Sequence, residues 1–99
     1  MARVELAPGV LEDFDRIVNH VALHDADAGP AHIEIILHTF AVLAHSPLIG
    51  RPSRGGKREL VIGQRLRGFV ALYRHLAPFD AVLVLAIRAQ REKGYGRGR

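Results

Sequence analysis

The spacing of apolar residues along this 99-residue chain changes period twice, and each change marks an element. Arg3 to Leu6 alternates polar with apolar and stops at Pro8-Gly9, which predicts a short first strand. From there Val10, Phe14, Ile17, Val18 and Val21 recur at intervals of three and four, the pattern of one face of a helix of about four turns. Glu12, Asp13 and Asp15 fall early in that helix, where the positive end of its macrodipole favours anions. The run 24–30 breaks the pattern. Asp27 or Gly29 is a suitable N-cap there and Pro30 suits a first turn, so a second helix starts at that point. Ile33, Ile36, Leu37, Phe40, Leu43 and Ala44 carry it to about His45. Ser46-Pro47 ends it, because the residue before proline is pushed out of the helical region.

After a loop at 48–57 rich in Gly, Pro and Arg, the second half of the chain reads as strands. Runs at 58–62, 67–76 and 81–88 are rich in β-branched or aromatic residues, and short connections at 63–66 and 77–80 favour an antiparallel meander. The expectation is an α+β domain of order βααβββ, with a helical hairpin packed on one face of a mainly antiparallel four-stranded sheet. Strict alternation puts Arg67, Phe69, Ala71 and Tyr73 on one face of their strand, taken as the open one. It puts Val70 and Leu72 on the other face, towards the helices, and groups Arg88 with Val84 and Ala86.

Charge adds a polarity that periodicity does not show. Residues 1–50 carry two arginines against seven acids, a net of −5, and residues 51–99 carry twelve Lys/Arg against three acids, a net of +9. A basic half beside an acidic one is the electrostatic footprint of a module that holds an anionic partner, either nucleic acid or an acidic protein segment. The length suits a single domain, 1–95, with a basic Gly-Arg tail at 96–99. Without cysteine there are no disulfides, thiolate nucleophiles or Cys-type zinc sites. No signal-peptide pattern opens the chain, and the apolar run 81–87 is too short to span a bilayer, so a cytoplasmic location away from membranes is expected. His20 with His24, and His38 with Glu34, stand one helical turn apart. Neither pair has a third convergent ligand, so they read as surface residues and neither metal nor cofactor is expected.

Four segments in order then carry a family likeness: Ser46-Pro47-Leu48-Ile49-Gly50-Arg51-Pro52, Arg58-Glu59-Leu60-Val61-Ile62-Gly63, the strand ending Tyr73-Arg74, and Ile87-Arg88-Ala89-Gln90-Arg91-Glu92-Lys93-Gly94-Tyr95. With the element order and size, they resemble the RelE/ParE superfamily of type II toxin-antitoxin toxins, the plasmid stabilisation proteins, from about Val4 to Tyr95. One departure is visible: relatives usually carry a histidine where Ala89 stands. The resemblance implies a cognate antitoxin as partner, whose segment, disordered when free, wraps the toxin with a helix in an apolar groove and acidic residues against the basic edge. It leaves the oligomeric state open between a homodimer and a toxin-antitoxin hetero-oligomer.

Two mechanisms follow from the likeness. ParE-like members bind DNA gyrase and poison it, while RelE-like members cleave messenger RNA on the ribosome without a metal. Cleavage needs a base for the 2′-hydroxyl, cations for the phosphorane and an acid for the leaving oxygen. In that reading Arg67, Arg88, Arg91 and Tyr95 are the residues that would act, and a base would have to be Glu59, Glu92 or a lysine. Cations abound and proton carriers are few, which favours the ParE-like mechanism. Arg67, Tyr73, Arg88, Arg91 and Tyr95 are expected to converge on the open face, with Lys57 or Glu59 at its rim. Arg51, Arg54, Lys57 and Arg58 in the loop, with Arg88, Arg91, Lys93 and Tyr95 at the terminus, are the expected contacts for target or antitoxin. A non-toxic module that binds free nucleic acid is the remaining alternative.

Overall fold

The computed structural model describes residues 1–22, 29–63 and 68–90. Its elements are β1 (Arg3–Leu6), α1 (Gly9–Ala22), α2 (Gly29–His45), β2 (Arg51–Pro52), β3 (Arg58–Ile62), β4 (Phe69–Leu76) and β5 (Ala81–Ala89), with 3-10 turns at Arg54–Gly56 and Ala77–Phe79. The sheet runs β1-β5-β4-β3-β2, parallel between β1 and β5 and antiparallel elsewhere. Helices and sheet share one core, with Val10 and Ile17 of α1 and Ile36 and Leu43 of α2 meeting Phe69, Ala71, Tyr73, Val82, Val84 and Ile87. The α+β architecture with a helical hairpin on a mainly antiparallel sheet is thus as expected. Of the proposed caps of α2, Asp27 lies outside the described residues; the described helix begins at Gly29 with Pro30 in its first turn.

The sheet has five strands rather than four. The added strand, β2, is two residues long and pairs Arg51 with Glu59 and Pro52 with Arg58. Two residues are too few to show alternation, and Pro52 lacks the N–H needed to extend the ladder, so a short edge strand is all this segment can form. Leu37, expected on the covered face of α2, is 52% exposed. It lies roughly 100° around the helix from Ile36, at the margin of the stripe that Ile33, Phe40 and Leu43 complete.

A second correction concerns which face of the sheet is which. Phe69, Ala71 and Tyr73 point into the core, and the ring of Phe69 meets that of His32 on α2 edge-on at 5.4 Å. Val70, Leu72 and Arg74 therefore face away from the helices. The alternation was legible but its phase was not, because both sides of β4 carry apolar residues and only the two aromatic rings need the deeper layer. A bulge alters β5 as well: Tyr73 pairs with Val84 and Leu72 with Ala86, so Leu85 is an extra residue. Val84 and Ile87 thus both point inward, and Arg88 shares the open face with Ala86 but not with Val84.

Where the strand changes phase, α1 holds it. The Ile87 N–H donates to Asp13 Oδ2 at 2.9 Å, and Arg16 donates through Nη2 to the Ile87 carbonyl at 3.0 Å and through Nη1 to Asp13 Oδ1 at 2.8 Å. Asp13 is fully buried, and its charge is tolerated because both oxygens accept hydrogen bonds, one of them from a cation. Asp13→Ala should cost about 3 kcal/mol in urea denaturation, the low end for breaking a buried pair because the Arg16 side chain stays 31% exposed. Asp15→Ala, at an exposed position on the same helix, should change stability by less than about 0.5 kcal/mol.

Candidate functional site

The loop from α2 to β2 is built around one phenol. Tyr73 donates its hydroxyl to the Pro47 carbonyl at 2.8 Å and accepts the Gly50 N–H at 2.9 Å. A Cβ at position 50 would sit 2.7 Å from that hydroxyl and 2.8 Å from the Glu59 carbonyl, so only glycine fits there. Arg58, the cross-strand neighbour of Tyr73, donates through Nη1 to the Gly50 carbonyl at 2.6 Å and to the Leu48 carbonyl at 3.2 Å. Burial pushes the Tyr73 phenol above its usual range, while the Gly50 N–H and the Arg58 charge pull it back.

Tyr73 therefore does not join the open face, contrary to the expectation from strict alternation. It is wholly buried on the helix side because its hydroxyl has two backbone partners there. Arg58 is likewise turned to the loop carbonyls. The described open face carries Lys57, Glu59 and Val61 from β3 and its approach, Val70, Leu72 and Arg74 from β4, and Ala86 and Arg88 from β5. Arg51 joins at the edge, 3.5 Å from Glu59 Oε1, with Arg54 exposed in the turn beyond it. Arg67, Arg91, Lys93 and Tyr95 lie outside the described residues.

One cation went unnoticed in the sequence. Arg74 follows the inward Tyr73 and so points out, and its Nη1 would lie 3.1 Å from a Cβ on Gly56, which puts its guanidinium under the 54–56 turn. The two aromatic residues at 69 and 73, read as core, would have revealed it. Arg74 with Arg51, Arg54 and Lys57 makes a positive pole at one end of the face. Arg88, whose Nη1 lies 3.3 and 3.4 Å from the carbonyls of Ala89 and Gln90, makes another. Arg88 pairs with Val70, four residues along β4 from Arg74, a separation of roughly 13 Å, and of the aliphatic residues between them Val70 and Ala86 are buried and Leu72 half-buried. Two such cations can hold an extended anionic ligand at two points. Position 89 pairs with Phe69 on the helix side, so an imidazole in place of Ala89 would share the inward face of that strand.

The described residues contain no group of three potential metal ligands, and Glu34 and His38 are exposed on α2. No described helix is long and apolar enough to cross a membrane.

A helical hairpin over one face of a mostly antiparallel sheet, with cations at both ends of the other face, makes a small α+β domain. The family model described as the ParE toxin of the type II toxin-antitoxin system parDE matches residues 4–94 of it, and the chain belongs to that family. A solved structure described as the chromosomal ParDE TA system from P. aeruginosa is similar in fold. It has a TM-score of 0.75 and 20% sequence identity, and the match covers 90% of this chain and 96% of that one. No curated protein matches the chain.

The phenol latch is testable by pH. Tyr73→Phe should lose about 1 to 3 kcal/mol, because the Gly50 N–H and the Pro47 carbonyl are left without their partner. The folded-state pKa of Tyr73 is raised, so its contribution is complete below the ordinary tyrosine value of 10.0 and declines as pH rises above it. Urea midpoints of wild type and Tyr73→Phe should differ most below that pH and converge above it. A constant difference across that range would refute this account of the latch.

Proposed function

We propose that this member of the family acts as the toxin of a two-component module, arresting growth by binding DNA gyrase and poisoning it, and neutralised by a cognate antitoxin. The observation that carries the reading is the composition of the face away from the helices, where Lys57, Arg74 and Arg88 supply fixed cations while Tyr73, expected to converge there, is buried on the other side. Fixed cations suit a protein or nucleic-acid contact, and they hold it without moving a proton. Glu59, one of the acids open to a role as base, is held beside the Arg51 guanidinium. The +9 half of the chain supports an acidic antitoxin segment that folds as it binds.

The deciding measurement compares gyrase supercoiling with messenger cleavage on programmed ribosomes. Wild type should inhibit supercoiling, and Arg74→Ala and Arg88→Ala should each weaken that inhibition in a graded way, as loss of a peripheral charge does. Neither protein should cut messenger. Ribosomal cleavage by wild type that falls on the order of a hundredfold to a thousandfold in Arg88→Ala, with supercoiling untouched, would replace the gyrase reading with the endonuclease one.

A further inference from the structure

The α2–β2 loop is held more firmly than a connection between two elements requires. The Tyr73 hydroxyl meets Pro47 and Gly50, and the Arg58 guanidinium meets Leu48 and Gly50, so the backbone on both sides of Ile49 is anchored to the sheet. On this fixed backbone Leu48 and Ile49 stand 59% and 54% exposed. Two adjacent aliphatic side chains in water gain nothing for the fold. Held rigid, they lose little conformational entropy when a partner covers them, which is the condition under which exposed apolar groups become the dominant contacts of an interface.

The surroundings indicate what would cover them. Residues 46–58 contain Arg51, Arg54, Lys57 and Arg58 and no acid, and the first acid beyond them, Glu59, is held beside Arg51. An apolar pair inside a positive rim is complementary to an amphipathic segment whose aliphatic side is bordered by carboxylates. A basic or purely polar partner would leave the pair uncovered and meet repulsion at the rim.

We infer that Leu48 and Ile49 form a preorganised docking tip for the acidic segment of the antitoxin, with its carboxylates against Arg51 and Arg54. This rests on the antitoxin reading above. Arg58 then acts as a positioning residue, because its Nη1 is directed to the loop carbonyls and it sets the tip without contacting the partner.

The test uses the full chain and the product of the adjacent reading frame, with affinity measured by calorimetry. The Leu48→Ser, Ile49→Ser double variant should keep its melting temperature within roughly 3 °C of wild type, since both side chains project into solvent. It should lose on the order of a hundredfold in affinity. Affinity within about threefold of wild type would overturn the tip and leave the antitoxin reading standing. A wild-type chain that binds no such product would overturn both. If the double variant instead changes only the sedimentation of the free chain, the tip joins two copies of this protein and the assignment to antitoxin fails.

Discussion

Where β1 stops at Leu6, opposite Val84, β5 continues to Ala89 with no strand described on that side. The Asp13–Arg16 pair takes the place of the missing ladder, offering one acceptor and one donor to the two polar groups of Ile87. Much else depends on this substitution of side chains for a strand. An N–H and a carbonyl left unpaired at the core boundary would carry the full penalty of desolvation, and the bulge at Leu85 would have nothing to hold its phase. With the phase held, Ile87 packs inward and Arg88 turns out. A buried ion pair is often weak evidence for stability, yet here it also specifies which face of β5 carries charge.

Tyr73, two residues along β4 from Ala71 opposite Ile87, is a second anchor of this kind. The two devices share a logic: each uses a buried polar group to fix a backbone segment that regular secondary structure leaves unpaired, and each lies directly behind a cationic or apolar feature of the surface. The acidic first half of the chain therefore contributes more than solubility. Asp13, one of its seven acids, lies inside the fold, whereas Arg51 and Arg54 of the basic half are exposed.

The element order was legible because periodicity reports burial directly. Val10, Ile17, Ile36 and Leu43 were placed on covered helix faces from spacing alone, and β1 was bounded correctly by Pro8-Gly9. The phase of β4 was not legible, since Val70 and Leu72 look as core-like as Phe69 and Ala71 when only hydrophobicity is weighed. The bulge could not be read either: an extra residue leaves no compositional mark in a run such as Val82 to Ile87, where every residue is apolar. Asp13 was read as a response to the helix dipole, because nothing local shows that a carboxylate will meet a peptide 74 residues away.

One physical cause lies behind the face of β4, the bulge in β5 and the role of Asp13. Alternation assigns residues to two classes, and only long-range hydrogen bonds decide which class faces out. Once Tyr73 and Ile87 are fixed inward by partners distant in sequence, Arg74 and Arg88, each the next residue, are necessarily outward. The side of the sheet on which Arg74 and Arg88 stand is thus set by their buried neighbours. That arrangement brings both guanidinium groups to the face away from the helices, where Arg88 also donates to the carbonyls of Ala89 and Gln90, and its cost is carried by Asp13, Arg16 and the two backbone partners of Tyr73.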